Sequence, residues 1–151
     1  MIINLNKNNF FEFKKIINLK ELEAEGNVLV DLDFWQIYKN ELLKSENKNI
    51  GVIINSDQSL EDLIEHLVII KMICINFLTF KDGRPFTIAR KLRELHGFNK
   101  QIRASGHILP DQSIFLIRSG FDSFEIDAKQ KTYWEQFIKN DIGLYYQKVH
   151  I

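Results

Sequence analysis

The chain has 151 residues, 45% of them apolar, with only two prolines and seven glycines. That length fits one domain, and that composition excludes disordered, collagen-like and low-complexity proteins. Twenty basic residues balance twenty acidic ones, which argues against a general binder of nucleic acid or of anionic membranes. The single cysteine, Cys74, excludes an intrachain disulfide and any multi-thiolate metal centre.

Residues 1–27 are polar and weakly patterned, and are expected to form a peripheral arm or hairpin. The first 13 residues lack the apolar stretch and cleavage site of a signal peptide. No apolar run approaches the roughly 20 residues of a membrane span. The expected location is therefore cytoplasmic, with no membrane contact. Val28–Val30 reads as a short buried strand, and Phe34–Lys44 as a helix with Trp35, Tyr38, Leu42 and Leu43 on one side. Ile50–Asn55 is a continuous apolar strand of the kind found in parallel sheets. Ser59, with Asp62 three positions on, signals a helix start, and Leu60, Leu63, Ile64 and Leu67 carry that helix to about Lys71.

Met72–Leu78 is the next strand. Asp82-Gly83-Arg84-Pro85 turns into a helix striped with Ile88, Ala89, Leu92 and Leu95 and closed by Gly97. Gln101–Ser105 is a further strand, Pro110 opens a helix that Gly120 ends, and Ser123–Ile126 and Thr132–Ile138 supply a last strand and helix. This alternation predicts a single α/β domain: a mainly parallel sheet of four to five strands with flanking helices. An open doubly wound sheet and a partial barrel fit equally. In both, ligands collect at the carboxyl ends of the strands. Asp82, Gly83 and Arg84 follow one strand and Gly106 and His107 another, whereas Asp122 is expected at the opposite end.

The neutral total conceals an uneven distribution. All five arginines lie between Arg84 and Arg118, although the chain has fifteen lysines. Residues 80–122 hold eight basic and four acidic residues, so that segment is positive and the remainder is negative. Arginine's planar fork suits carboxylate, phosphate and sulfate groups.

Within this segment, Asp82, Gly83 and Arg84 form either an anion clamp at a helix start or a capped turn. Arg90 and Arg93 lie outside the core stripe and suit an interface or a solvated face. Arg103 falls inside a strand expected to be buried, so it needs a partner such as Asp82, Asp111 or a ligand. Gly106 permits close backbone approach. His107 could transfer protons near neutral pH or simply cap the strand. Asp111 and Gln112 stand at a helix start as caps or ligand contacts. Arg118 is a further anion candidate. Asp122 reads as satisfying local amides, and Cys74 as an inert core thiol. No nucleotide-binding glycine loop, metal-ligand spacing or nucleophile elbow is present. The cofactor is therefore unknown, and no metal is expected.

Taken together, FKDGRPFTIARKLRELHGFNKQIRASGHILPDQSIFLIRSGFDSFEI (residues 80–126) resembles the core of an uncharacterised bacterial domain family. The shared pattern runs DGR…AR-x-LR, then RA-x-G-x-x-L-x-DQ, then R-x-GFD, and covers residues 50–126 best. All five arginines fall on it. Asn99 and Lys100 stand where the family tends to carry Gly and Glu. Members are described as probable oxidoreductases involved in sulfite reduction, and the resemblance implies a place in sulfur metabolism.

Three expectations follow. The first is an accessory protein of assimilatory sulfur metabolism that binds sulfite or a sulfated or phosphorylated ligand. Arg84, Arg103 and Arg118 would hold the anion, with Asp82 and Asp111 orienting them. The second is a non-catalytic subunit whose Arg90 and Arg93 dock a sulfite reductase component or another acidic partner. The third is a small enzyme with Asp82 or His107 as general acid or base. A homo-oligomer is compatible with each.

Overall fold

The computed structural model describes residues 1–6, 11–24, 26–45 and 48–144. Seven strands form one sheet: β1 (Ile2–Asn4), β2 (Lys14–Lys15), β3 (Asn27–Asp31), β4 (Asn49–Asn55), β5 (Ile70–Phe77), β6 (Gln101–Gly106) and β7 (Ser123–Glu125). Their order is β1-β7-β6-β5-β4-β3-β2. Every pairing is parallel except β1 with β7. The α/β class and the mainly parallel sheet agree with the sequence reading. The two edge strands do not, because residues 1–27 contribute β1, β2 and the helix α1 (Leu19–Ala24). Strands of three and two half-polar residues carry no periodicity, and what orders them is pairing with distant residues: Ile3 opposite Phe124 and Lys15 opposite Leu29.

The other helices are α2 (Leu32–Lys44), α3 (Glu61–Ile64), α4 (Arg84–Glu94), α5 (Ser113–Ser119) and α6 (Lys131–Leu144). From β2 to β7 the strands step sequentially, with no reversal. Crossovers of one hand then place all helices on one face, which is the partial-barrel alternative. The packing agrees. Leu22, Trp35, Leu63, Leu92, Leu116 and Trp134, one from each helix, join Val30, Val52, Ile75, Ala104 and Phe124 in a single core. A second cluster, on the opposite face, contains Leu29, Met72 and Cys74 with Ile53 and Phe13, and no helix residue. Among the described residues the sheet therefore has a helix-covered face and a helix-free face. Among the described residues no helix is long and apolar enough to cross a membrane.

The expected helix from Ser59 to Lys71 is reduced to the four residues of α3, followed by turns. Ser59 does accept from the Glu61 amide at 3.2 Å, but Asp62 turns away to accept from Gln36 Nε2 at 2.5 Å. The remaining apolar residues split their roles: Ile70 starts β5, while Val68 is 83% exposed.

Candidate functional site

The carboxyl ends of β4, β5 and β6 hold the first group of expected residues. Asp82, at the start of α4, is a double acceptor. Its Oδ1 takes the Arg84 amide at 3.1 Å and Arg84 Nε at 2.9 Å, and its Oδ2 takes Arg84 Nη2 at 2.9 Å. Asp82 thus bonds both the first amide of α4 and the Arg84 fork. The Arg84 fork and the Ser56 hydroxyl hold the Asp82 carboxyl well below the usual range. Asp82 is therefore ionised at neutral pH and has no proton to donate. Gly83 has φ −88° and free space where a Cβ would stand, so this turn does not require glycine.

Gly106 is different. Its φ is +82°, and an added Cβ would strike Asn76 Oδ1 and the Phe77 carbonyl. This close approach lets the next residue hold on twice: the His107 amide and His107 Nδ1 both reach Phe77 O, at 3.0 and 3.2 Å. A carbonyl only accepts, so the donor in this contact is Nδ1–H. The His107 ring meets the half-exposed Phe80 edge-on at 4.9 Å. Gln112 closes this corner, donating to Phe80 O at 3.2 Å.

The helix-free face holds the second group. In β6, Ile102 and Ala104 enter the helix-side core, so Gln101, Arg103 and Ser105 point to the other face. The rung at Arg103 places it between Cys74 of β5 and Ser123 of β7. The rung above joins Asn55, Asn76 and Ser105: Asn76 donates to Asn55 Oδ1 at 2.9 Å, and Ser105 to Asn76 Oδ1 at 3.4 Å. Cys74 Sγ lies 3.3 Å from Ser105 Oγ, and burial pushes its thiol up to about 11, in keeping with an inert core thiol.

Arg103 is only 4% exposed, yet it makes no hydrogen bond or ion pair among the described residues, and its Nε is fully buried without a partner. Burial lowers its pKa, only partly offset by the nearby Cys74, Glu125 and Asp122. The two carboxylates expected to serve it are elsewhere: Asp82 is taken by Arg84, and Asp111 lies exposed in the turn before α5.

The third group stands at the opposite end of the sheet, where Asp122 was expected. Arg93 gives its fork to main-chain carbonyls: Gly120 O at 2.7 and 3.0 Å, Phe98 O at 2.8 Å and Lys100 O at 2.6 Å. Asp122 lies 3.5 Å from Arg93 Nη2 and accepts the Ile102 amide at 2.9 Å. Burial pushes the Asp122 carboxyl up to about 6 despite Arg93. Gly120, with φ +111°, leaves room for this fork, since a Cβ there would stand 2.6 Å from Arg93 Cγ. Arg93 thus ties α4, the end of α5 and the start of β6 together. Of the expected interface pair, only Arg90 remains exposed.

The structure therefore brings Asp82, Gly83 and Arg84 together, and seats Gly106 beside Phe77 and His107 against Phe80. It does not gather Arg84, Arg103 and Arg118. Arg84 caps the carboxyl ends, Arg103 lies within the helix-free face, and Arg118 is exposed on α5, which packs on the other face. Sequence reasoning missed Ser56, Asn55, Asn76 and Gln101. Their only signal was polarity within or just after apolar strands. Among the described residues no group of three His, Cys, Asp or Glu side chains is placed to hold a metal ion. A comparison with curated proteins gives no match. Residues 51–150 match a family described as bacterial protein of unknown function (DUF934), and the chain belongs to that family.

Proposed function

We propose that this protein binds a small oxyanion on the helix-free face of its sheet, with Arg103 as the anchor. The supporting observation is the buried Arg103 guanidinium, which makes no hydrogen bond or ion pair among the described residues. An isolated buried charge is costly, and a protein that keeps one gains by pairing it with a bound counter-charge. Ser105 and Ser123 offer hydroxyl groups around it. Arg84 stands apart with its charge answered by Asp82, so one arginine rather than three meets the anion.

The anion we infer is sulfite, or the sulfate or phosphate group of a larger ligand. The protein would then act in the cytoplasm as an accessory of assimilatory sulfite reduction. The pattern running from Asp82 to Asp122 supports the sulfur assignment by its likeness to proteins described in those terms. The test is thermal unfolding with sulfite, sulfate and phosphate. A ligand at about 100 times its Kd should stabilise the fold by about 2.7 kcal/mol. No shift with any of the three would reject the reading.

A second reading is favoured by one observation: Arg90 and Lys91 are both exposed on α4. That face would dock an acidic partner such as a sulfite reductase component. Co-precipitation with the reductase should then weaken at high salt and in Arg90→Ala.

A further inference from the structure

At the amino-terminal end of the helix-free face lies a cavity of about 160 Å³, lined by Phe11, Lys71, Lys100 and Gln101. Two lysines share it, and no carboxylate lines it. Residues 7–10, which precede Phe11, contain no acidic residue either. Lys71 reaches the cavity through a defect in the sheet. The β4–β5 register passes from Ile50 opposite Ile70 to Gly51 opposite Met72, so Lys71 is the extra residue of a bulge. Ile70 consequently packs in the helix-side core while Met72 packs on the opposite face. Bulges commonly re-aim a side chain in this way.

The two ammonium groups are in different states. Lys100 donates to the carbonyls of Leu67 and Val68, which fixes its position. Its pKa is lowered by burial and further by Lys71. Lys71 makes no hydrogen bond or ion pair among the described residues. The third polar wall is Gln101, 3% exposed, whose Nε2 donates to Ser123 at 2.9 Å while its Oε1 has no partner. The Ser123 hydroxyl can donate as well as accept, so the amide can present either its oxygen or its NH2 to the cavity.

Two like charges and an unfinished amide in one cavity call for an anion. We propose that this cavity is a second binding site, distinct from Arg103, for a small oxyanion of phosphate or sulfate size held between Lys71, Lys100 and Gln101. Size agrees: a tetrahedral oxyanion occupies about two to three water volumes of ~30 Å³ each, which leaves space for hydration. Phe11 forms the apolar wall.

The test is a titration of the full chain with inorganic phosphate at constant ionic strength, followed by NMR on the Gln101 side-chain NH2. A saturable shift is expected, weakened about tenfold or more in Lys71→Met. In Lys139→Ala, which removes an exposed charge from α6 in the helix layer, the affinity should change by no more than about twofold. Lys71 bonds to no other group among the described residues, so Lys71→Met should melt near the wild-type temperature in phosphate-free buffer. Lys100→Met is the poorer variant because Lys100 also holds two carbonyls. The proposal is overturned by any of three results. The first is no saturable shift up to ~10 mM phosphate. The second is equal weakening in Lys71→Met and Lys139→Ala. The third is a signal lost in Arg103→Met but kept in Lys71→Met, which would assign the anion to Arg103.

Discussion

Replacing Arg103 by methionine should stabilise the anion-free protein. Most buried arginines are paired, and removing one leaves an unanswered carboxylate at a cost of about 3–5 kcal/mol. Among the described residues Arg103 forms no ion pair: its rung neighbours are a thiol and a hydroxyl, and Glu125 and Asp122 act on it without bonding to it. The variant therefore removes the desolvation cost of a guanidinium that is 4% exposed and breaks no ion pair. Replacement of buried ionic groups by apolar side chains of similar volume is neutral or stabilising by about 1–4 kcal/mol. At this chain length that is a rise of about 2–4 °C in Tm per kcal/mol. Urea unfolding in a buffer free of oxyanions measures it. Adding sulfite should reverse the order, because only the wild type gains binding energy. A loss of more than about 2 kcal/mol in Arg103→Met without anion would refute the reasoning, since it would mean that the guanidinium is paired within the fold.

Further outcomes are expected at other positions. Gly106→Ala should cost at least about 2 kcal/mol in urea unfolding, because it combines a positive φ with a clash against the Phe77 carbonyl. Asp122 should make stability fall as pH rises. Its folded pKa of about 6 exceeds the unfolded value near 4, so between those values the native state binds the extra proton. The ceiling is about 3 kcal/mol at 1.4 kcal/mol per unit, and Asp122→Asn should flatten the slope between pH 4 and 6. Asp82 has the opposite sign: its depressed pKa contributes stability above pH 4 that is lost on acidification, and Asp82→Asn should remove that loss. Cys74, buried and with its pKa near 11, should resist iodoacetamide in the native state and react in urea; fast native labelling at pH 8 would contradict its placement.

Local pattern revealed those elements whose local pattern and tertiary role coincide. The apolar runs of β4 and β5, the Ala89 and Leu92 stripe of α4 and the Pro110 and Gly120 boundaries were readable, whereas Leu95, expected in that stripe, lies past the helix end and is 72% exposed. Arg103 stood out for the same reason, as a charge within an apolar strand. What escaped depends on distant partners. Arg93 looked like a surface residue because its partners are carbonyls at positions 98, 100 and 120, which no side-chain pattern encodes. Lys71 looked like the end of a helix because the bulge that re-aims it exists only once β4 and β5 pair. The arginine clustering in sequence did not carry into space. A strand, a helix start and a second helix lie on different sides of the sheet, so neighbours in sequence point to opposite faces.

The central claim is that the Arg103 guanidinium meets an anion. Its Nε–H can be observed directly by ¹H–¹⁵N NMR and assigned by its absence in Arg103→Lys. Titration with sulfite should move that resonance saturably while the Arg93 Nε–H, held by Gly120 O at 3.0 Å, stays in place. An Arg103 resonance that does not move at sulfite concentrations well above those that stabilise the fold would contradict the account.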